Sequence, residues 1–272
     1  MATPVLVIEA NPGQHLFRSL LDFWTHREMV LAFADRNIRV KYKQAVLGFA
    51  WAAIQPVAMV LVLAVTVGRL VGGHGYAAFA LAMLVPWTFL QTAVTFAAQA
   101  LITDAPLIRK VYFPREVSVA GAVLAAGLDL AIGLVLFAVA GPFLGAKVSP
   151  TWMLAPFLLL VMVLLATGVG CVFAALNVYY RDFRYALPFA LQLWFFASPV
   201  AYPLSVVPQR WQLPYVLVNP AAGLFDSLRR VLTQGQMPDP LLVGISAAET
   251  ALVVWAGYRV FKGLEPGFAD VV

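Results

Sequence analysis

Charged side chains are scarce in this sequence: only 11% of its 272 residues are Asp, Glu, Lys or Arg, whereas 62% are hydrophobic. The mean hydropathy is +0.86, and a soluble domain carries about a quarter charged residues. This composition excludes an ordinary water-soluble domain and indicates a membrane protein with several spans. The net charge of +5 does not indicate nucleic acid as a partner, because most basic residues flank apolar segments, where they face lipid headgroups.

Residues that carry chemistry are equally scarce. The one cysteine, Cys171, lies in an apolar run, which excludes a disulfide or a thiol-based zinc site within one chain. His15, His26 and His74 are scattered, and no HExxH motif occurs. No lysine follows a glycine, so the phosphate-binding loop GxxxxGKS/T is absent as well. We therefore expect no catalytic residue, metal or cofactor in this chain, and any ATP hydrolysis has to occur in another chain.

Six apolar segments recur along the chain, each close to the length of about 20 residues that crosses a bilayer. They predict crossings at residues 47–70, 77–100, 117–140, 152–177, 185–202 and 240–261. With both termini in the cytoplasm, thirteen of the eighteen basic residues lie inside, and the others are Arg69, Lys147, Arg210, Arg229 and Arg230. This positive-inside bias predicts an all-α, six-span domain over residues 47–262, between a cytoplasmic segment, 1–46, and a cytoplasmic tail, 263–272.

The segment before the first span repeats apolar residues at helical spacing, among them Leu20, Phe23, Val30 and Ala34, with basic residues elsewhere around the helix. This pattern predicts an amphipathic helix that lies in the membrane interface. An amphipathic helix packed on a soluble partner is the alternative.

A short stretch between the second and third spans, "DAPLIRKVYFPRE", has its own start and stop signals. Asp104 or Thr103 can cap a helix, Pro106 suits its first turn, and Pro114 ends it. The stretch predicts a short cytoplasmic helix over residues 104–115, with an apolar side and projecting Arg109 and Lys110. A helix of this kind suits docking on another protein, and a helix that rests on the membrane is the alternative.

The region 203–239 holds two apolar pieces that are each too short to span a bilayer. Asn219 and Pro220 separate them and are expected to cap and open the second piece. Asp226 can pair with Arg229 or Arg230 along that helix. We predict an external re-entrant helical hairpin, which is tolerated at membrane depth only when it is buried in protein or lines a wet cavity. A loop on the membrane surface is the alternative.

Polar and aromatic residues form stripes on the predicted spans. Trp51 and Gln55 share one side of the first span. Four residues of the fifth span fall within an arc of about 100°, namely Trp194, Phe195, Ser198 and Tyr202. Because lipid gives no reason for such stripes, we interpret them as faces toward a polar path; packing between helices is the alternative for each stripe.

Two carboxylates lie within predicted spans, Asp129 and Glu249. An unpaired charge at such a depth costs about 2.5 to 3.5 kcal/mol on insertion scales. Small residues share the Asp129 side of its helix, including Ala126 and Gly133, which favours a satisfied polar group in a tight helix contact. A proton relay through the two carboxylates is the alternative.

Four blocks in order resemble the membrane subunits of type-2 ABC transporters that export polysaccharides such as O-antigen, capsule and teichoic acid. They cover residues 36–57, 107–116, 176–203 and 219–232. The resemblance implies a homodimer in the bacterial inner membrane, with two cytoplasmic ATPase subunits that bind ATP and Mg. It also implies a central channel for a glycan linked to undecaprenyl diphosphate.

The resemblance assigns the short cytoplasmic helix as the coupling helix that docks on the ATPase. Its residues are Leu107, Ile108, Arg109, Lys110, Val111, Tyr112 and Phe113. The external hairpin corresponds to the helices that close the exit, with Trp211, Tyr215, Asn219 and Pro220 at this gate. The stripe residues Trp51, Gln55, Trp194, Phe195, Ser198 and Tyr202 are then expected to line the channel.

Three other functions are to be weighed. A membrane-embedded glycosyltransferase or phosphatase would need clustered carboxylates or histidines at an interface, and the charged loops here are basic. A type-2 ABC exporter of a small lipid or drug has the same architecture, and only the four blocks favour polysaccharide. A proton-coupled secondary transporter would use Asp129 and Glu249, but it would also show repeats with interrupted helices in matching places, and we find none.

Overall fold

The computed structural model describes residues 26–43, 48–68, 75–111 and 113–268. Within these ranges the chain is helical, with no strand. The α-helices are α1 (Arg27–Tyr42), α2 (Trp51–Thr66), α3 (Tyr76–Thr103), α4 (Ala105–Ile108), α5 (Glu116–Ala140), α6 (Ala155–Tyr179), α7 (Asp182–Phe196), α8 (Gln209–Val218), α9 (Pro220–Arg229) and α10 (Pro240–Leu264). Short 3₁₀ turns precede α2 and α6 and follow α10.

Within the described residues, five helical stretches are long and apolar enough to cross a membrane. They are Gly48–Thr66, Tyr76–Thr103, Glu116–Ala140, Pro150–Tyr179 and Pro240–Gly267. These stretches coincide with five of the six predicted crossings. The remaining one, predicted at 185–202, overlaps the 15-residue helix α7, which begins at Asp182 and is shorter than the other five.

Helix α7 ends at Phe196 and not near residue 202 as predicted. Ala197 leaves the helical conformation with a ψ of 0°. Ser198 precedes Pro199, and the proline ring disfavours helical backbone at the residue before it. Ser198 and Tyr202 therefore lie in the turns after the helix, so that an arc calculated for one continuous helix does not apply to them.

One end of the bundle, called here the α4 end, gathers the start of α5 and the ends of α6 and α10. The Lys262 ammonium lies 2.9 Å from the Glu116 carboxylate, and the Tyr179 hydroxyl donates to the Leu264 carbonyl over 2.9 Å. Helices α6 and α10 thus both end here and run parallel to each other, whereas α5 starts here and runs in the opposite direction.

The opposite end gathers the starts of α3 and α6 and the chain that follows α7. The Tyr76 hydroxyl donates to the Ala201 carbonyl over 2.8 Å. The Thr151 hydroxyl donates to the Val231 carbonyl over 3.1 Å. Tyr179 therefore lies at the α4 end and Ala201 lies at the opposite end, so the segment between them connects the two ends of the bundle.

Helix α1 packs along α5 with its buried residues Val30, Phe33 and Ala34. Gly121 of α5 allows this approach, since a Cβ there would lie 2.6 Å from the Phe33 Cβ. The apolar face predicted for an amphipathic helix therefore covers the chain's own bundle over this part. Leu20 and Phe23 lie outside the described residues, and the position of the helix in the membrane interface stays a prediction.

Helices α8 and α9 form a hairpin whose second arm is enclosed by the bundle. Every residue from Ala221 to Leu228 is buried, and α9 contacts α3, α6 and α10. As predicted, the Asn219 side chain caps α9 by accepting from the Ala221 backbone N–H over 3.2 Å, and Pro220 is its first residue. The buried Asp226 carboxylate accepts from Arg229 and from Arg230, at 2.7 and 2.8 Å, so the predicted pairing forms with both arginines.

Candidate functional site

The segment between α3 and α5 presents a mixed apolar and basic surface at the α4 end. Helix α4 is a single turn, shorter than the predicted helix over 104–115, and hydrogen-bonded turns extend it to Val111. Leu107 and Val111 are 36% and 52% exposed, and Lys110 is exposed between them. These side chains leave an apolar and cationic surface available to a partner.

Two other side chains of this segment, Ile108 and Phe113, are buried in the bundle, whereas Arg109 is exposed. Tyr112, which the resemblance assigns to the coupling helix, lies outside the described residues. A cavity of about 230 Å³ opens here, lined by Ile108, Arg109, Lys110, Val111, Phe113 and Arg115.

Contacts from α1 hold the start and the end of this segment. The Arg36 guanidinium pairs with the Asp104 carboxylate, whose side chain is 1% exposed. The rings of Phe33 and Phe113 lie 5.6 Å apart. Asp104 was predicted as a helix cap, but its side chain makes no capping hydrogen bond. The ion pair with Arg36 takes the place of the cap.

The start of α2 and the end of α1 enclose a second cavity of about 200 Å³, lined by Lys41, Tyr42, Trp51, Ala52 and Gln55. Trp51 is 45% exposed and Gln55 is also exposed, so both are accessible in a single subunit. An indole face and an amide beside one another can stack on a sugar ring and exchange hydrogen bonds with its hydroxyls. The Tyr42 ring also contacts the Phe49 ring at 4.6 Å, which ties the two helices together.

Asp129 of α5 lies beneath this cavity and is satisfied. Its carboxylate pairs with the Lys41 ammonium and accepts a hydrogen bond from the Tyr42 hydroxyl. Burial, together with the hydrogen bond to Asp129 and its negative charge, raises the pKa of Tyr42. This arrangement matches the favoured interpretation of Asp129 as a satisfied structural group, and the sequence pattern did not identify its partners.

Glu249 of α10 has a different environment. Its Oε2 atom is buried and has no hydrogen-bond partner among the described residues. The hydroxyls of Ser246, one turn earlier, and of Thr250, the next residue, are likewise buried and unpartnered within that part of the chain. No group of three or more His, Cys, Asp or Glu side chains in the described ranges could hold a metal ion.

The residues predicted along the fifth span do not form one exposed face. Phe195 is 6% exposed and packs against Trp87, with ring centroids 5.4 Å apart. Trp194 is partly buried, and Ser198 is fully buried. The Tyr202 hydroxyl donates to the Phe196 carbonyl over 3.0 Å. These four side chains face the subunit's own interior and hairpin.

Asn219 connects the end of α7 to the hairpin. Its Oδ1 accepts from the Trp194 indole N–H over 2.9 Å, and its Nδ2 donates to the Ala197 carbonyl over 2.8 Å and to the Ser198 hydroxyl over 2.9 Å. The Tyr215 hydroxyl also donates to the Ala197 carbonyl over 2.6 Å. Of the predicted gate residues, Tyr215, Asn219 and Pro220 thus lie together.

Trp211 lies near the start of α8 and is 56% exposed. It is the most accessible of the four residues predicted at the external gate, since Tyr215 and Pro220 are partly buried and Asn219 is buried. The hairpin therefore offers one exposed aromatic side chain and holds the other three predicted residues in internal contacts.

An aromatic stripe that the sequence analysis missed covers the free side of α7. Tyr185 is 79% exposed, Phe189 64% and Phe196 60%, and Gln192 is exposed between them. At 100° per residue these four lie within an arc of about 60°, opposite the buried Leu187. The polar Gln192 in an apolar helix was the signal that could have identified this side.

Comparison with known proteins finds a matching family model and several similar proteins. Residues 28–233 match the family model described as ABC-2 type transporter. The chain is 28% identical over 262 residues to the O-antigen export system permease protein RfbA of Myxococcus xanthus. The aligned region covers 94% of this chain and 100% of that protein. A Klebsiella pneumoniae protein of the same name is 24% identical over 250 residues, or 90% and 95% of the two chains. The polysialic acid transport protein KpsM of Escherichia coli is 23% identical over 256 residues, or 89% and 96%.

Proposed function

Since the chain belongs to the ABC-2 type transporter family of membrane proteins, we propose that it is the channel-forming permease subunit of an ATP-driven polysaccharide exporter. Its substrate is an O-antigen-like glycan carried on undecaprenyl diphosphate, and its location is the bacterial cytoplasmic membrane. The observation that carries this proposal is the alignment, over nearly the whole of both chains, with proteins named for O-antigen export and polysialic acid transport.

The proposal includes a sixth crossing, made by α7 and the turns that follow it. Helix α7 alone is about 22 Å long at 1.5 Å per residue, and the hydrogen bond from Tyr76 to Ala201 supports its arrival at the end opposite α4. With the α4 end in the cytoplasm, six crossings leave both ends of the membrane domain inside, in agreement with the positive-inside bias.

A separate ATPase subunit, with its own ATP and Mg, is proposed to dock on the α4 segment. The exposed Leu107 and Val111 supply an apolar anchor, and Lys110 supplies charge. Burying a few such anchors usually dominates the energy of an interface. The contacts of Arg36 and Phe33 hold the segment in place from the membrane side.

A second copy of the chain is proposed to complete the channel. Helix α2 is poorly covered in one subunit, with Leu61, Val62 and Val65 all more than half exposed. We propose that Trp51, Gln55 and the exposed stripe of α7 face the channel. Trp194, Phe195, Ser198 and Tyr202 then support that wall from behind through the hairpin, which closes the outer exit with Trp211, Tyr215, Asn219 and Pro220.

The alternatives have less support. A small-lipid or drug exporter has the same architecture, but the aligned relatives carry polysaccharide names. A proton-coupled secondary transporter would use Asp129 and Glu249, but Asp129 is already paired with Lys41 and bonded to Tyr42, and the sequence shows no repeat with interrupted helices in matching places.

The experiment that tests the proposal places a carboxylate in the docking surface. We expect Val111→Asp to abolish co-purification of the ATPase and export of glycan to the cell surface, because a charge is forced into an apolar contact. The control is Val148→Asp, which alters a valine that is 69% exposed in the loop at the opposite end. Normal assembly and export by the Val111→Asp subunit would contradict the proposal.

A further inference from the structure

The segment that follows α10 folds back onto the start of α5. Lys262 lies between two carboxylates, 2.9 Å from Glu116 of α5 and 2.8 Å from Glu265. The Arg115 guanidinium donates to the Glu265 backbone carbonyl. Arg115 and Glu116 come directly after the α4 segment, so these contacts join its exit to α10.

Aromatic packing fixes the same junction. Phe268 is completely buried, with its ring 5.4 Å from Phe261 and 6.1 Å from Tyr179. The Tyr179 hydroxyl donates to the Leu264 carbonyl. Contacts of residues 264–268 therefore join the start of α5 to the ends of α6 and α10.

Helix α10 extends from this junction to the opposite end of the molecule, and it packs closely against α6 and α9 along the way. A Cβ at Gly257 would overlap the backbone of Gly168 in α6. A Cβ at Gly223 of α9 would lie 2.9 Å from the Leu242 carbonyl oxygen of α10. Because packed interiors do not deform continuously, a shift at one end of α10 is expected to move α9 at the other.

We propose that Lys262 is a positioning residue that links the α4 segment, through Glu116 and helix α10, to the external hairpin. When the ATPase displaces the α4 segment, α5 and α10 move together and the hairpin changes position. This inference rests on the proposed function, because it needs an ATPase at the α4 end and a gate at the hairpin.

The charges of the junction suit such a link. The side chains of Lys262, Glu116 and Glu265 are 29%, 16% and 21% exposed, so water screens them only in part. One ammonium holds two carboxylates, and its removal would leave them to repel each other across the junction. Arg259, one turn earlier, is exposed and contacts the Trp255 ring of its own helix, so it joins no second element in this contact.

The test uses the full complex in nanodiscs, with Cys171→Ala and a reporter cysteine at Val218, which is 85% exposed next to the hairpin turn. The rate of labelling by an impermeant thiol reagent is measured with and without ATP. We expect ATP to change the labelling rate in the parent and in Arg259→Gln. In Lys262→Gln, the ratio of the labelling rate with ATP to the rate without ATP should be about one, although the ATPase stays bound. Export should fall in parallel.

A second variant covers the case in which Lys262→Gln does not fold. Glu116→Gln breaks the same link but keeps the Lys262 pair with Glu265, so no carboxylate is left unpaired. It is expected to reduce the ATP-dependent change as well. An undiminished change in Lys262→Gln or in Glu116→Gln, or a hairpin that does not respond to ATP in the parent, would overturn the inference.

Val111→Asp separates this failure from that of the proposed function. If Val111→Asp still binds the ATPase and exports glycan, the proposed function itself is wrong. If Val111→Asp abolishes both, but Lys262→Gln exports normally, only the link through Lys262 is wrong.

Discussion

Asn219→Ala tests the connection between α7 and the hairpin. The substitution removes one side chain that makes four hydrogen bonds: with Trp194, with the Ala197 carbonyl, with Ser198 and with the Ala221 backbone. Because Ser198 and Asn219 are buried, water does not replace these partners.

The expected cost follows from the groups that lose a partner. Loss of the helix cap costs about 1 kcal/mol. The Trp194 N–H and the Ser198 hydroxyl each lose a bond in a largely buried site, at about 1 to 3 kcal/mol per group. The sum is about 3 to 7 kcal/mol, which corresponds to a fall of roughly 10 to 20 °C in Tm, at about 3 °C per kcal/mol for a chain of this size.

Thermal unfolding of the purified subunit in detergent, followed by tryptophan fluorescence, measures this effect. Gln212→Ala is the control on the same hairpin, because Gln212 makes a single hydrogen bond, to the Val207 carbonyl over 2.9 Å, and is only partly buried. We expect it to cost about 1 kcal/mol. A Tm for Asn219→Ala no lower than that of Gln212→Ala would refute the reasoning.

Asn219→Ser separates the two roles of the side chain. A serine hydroxyl can cap α9 but cannot reach Trp194 and Ala197 together. We therefore expect Asn219→Ser to recover about 1 kcal/mol relative to Asn219→Ala. Full recovery would show that the cap, and not the connection to α7, stabilises the hairpin.

Three further predictions follow from the packing. Gly257→Ala should cost about 1 to 3 kcal/mol in the same unfolding assay, because its Cβ meets the Gly168 backbone. Gly263→Ala on the same helix, where a Cβ meets nothing within 4 Å, should stay within about 0.5 kcal/mol. Asp129→Ala should destabilise by about 1 kcal/mol more than the paired change Lys41→Met with Asp129→Leu, because only the single change leaves the partly exposed ammonium without its carboxylate. A photoreactive group at Phe196 should capture glycan in a stalled complex, whereas one at Phe195 should capture the subunit's own α3; capture of phospholipid alone at Phe196 would remove α7 from the channel wall.

Local signals in the sequence predicted the helix ends where backbone chemistry decides them. Asn219 caps α9 and Pro220 opens it, because an amide oxygen and a fixed φ suit those positions in any context. The five long spans were predicted for a similar reason, since crossing a bilayer imposes a length and an apolar composition.

Contacts between distant segments were not predictable in this way. Asp104 has the residue type of a cap, but Arg36, 68 residues earlier, pairs with its carboxylate. Asp129 was interpreted correctly as a satisfied group, yet Lys41 could be identified as its partner only once α1 was seen to lie along α5. A capping signal describes what a side chain can do locally, and a charged partner at short distance offers a stronger interaction.

The aromatic residues predicted along the fifth span do not form one exposed face, and part of the reason is specific to membranes. In a soluble helix an apolar stripe marks the buried side, because the other side faces water. In α7 the buried Phe195 and the exposed Phe196 are the same residue type, since lipid and protein interior accept phenylalanine equally well. Only a polar residue distinguishes the two sides, and Gln192 lies with Tyr185, Phe189 and Phe196 on the exposed one. In α7, the position of the rare polar side chain is therefore better evidence for the exposed side than the position of the aromatic ones.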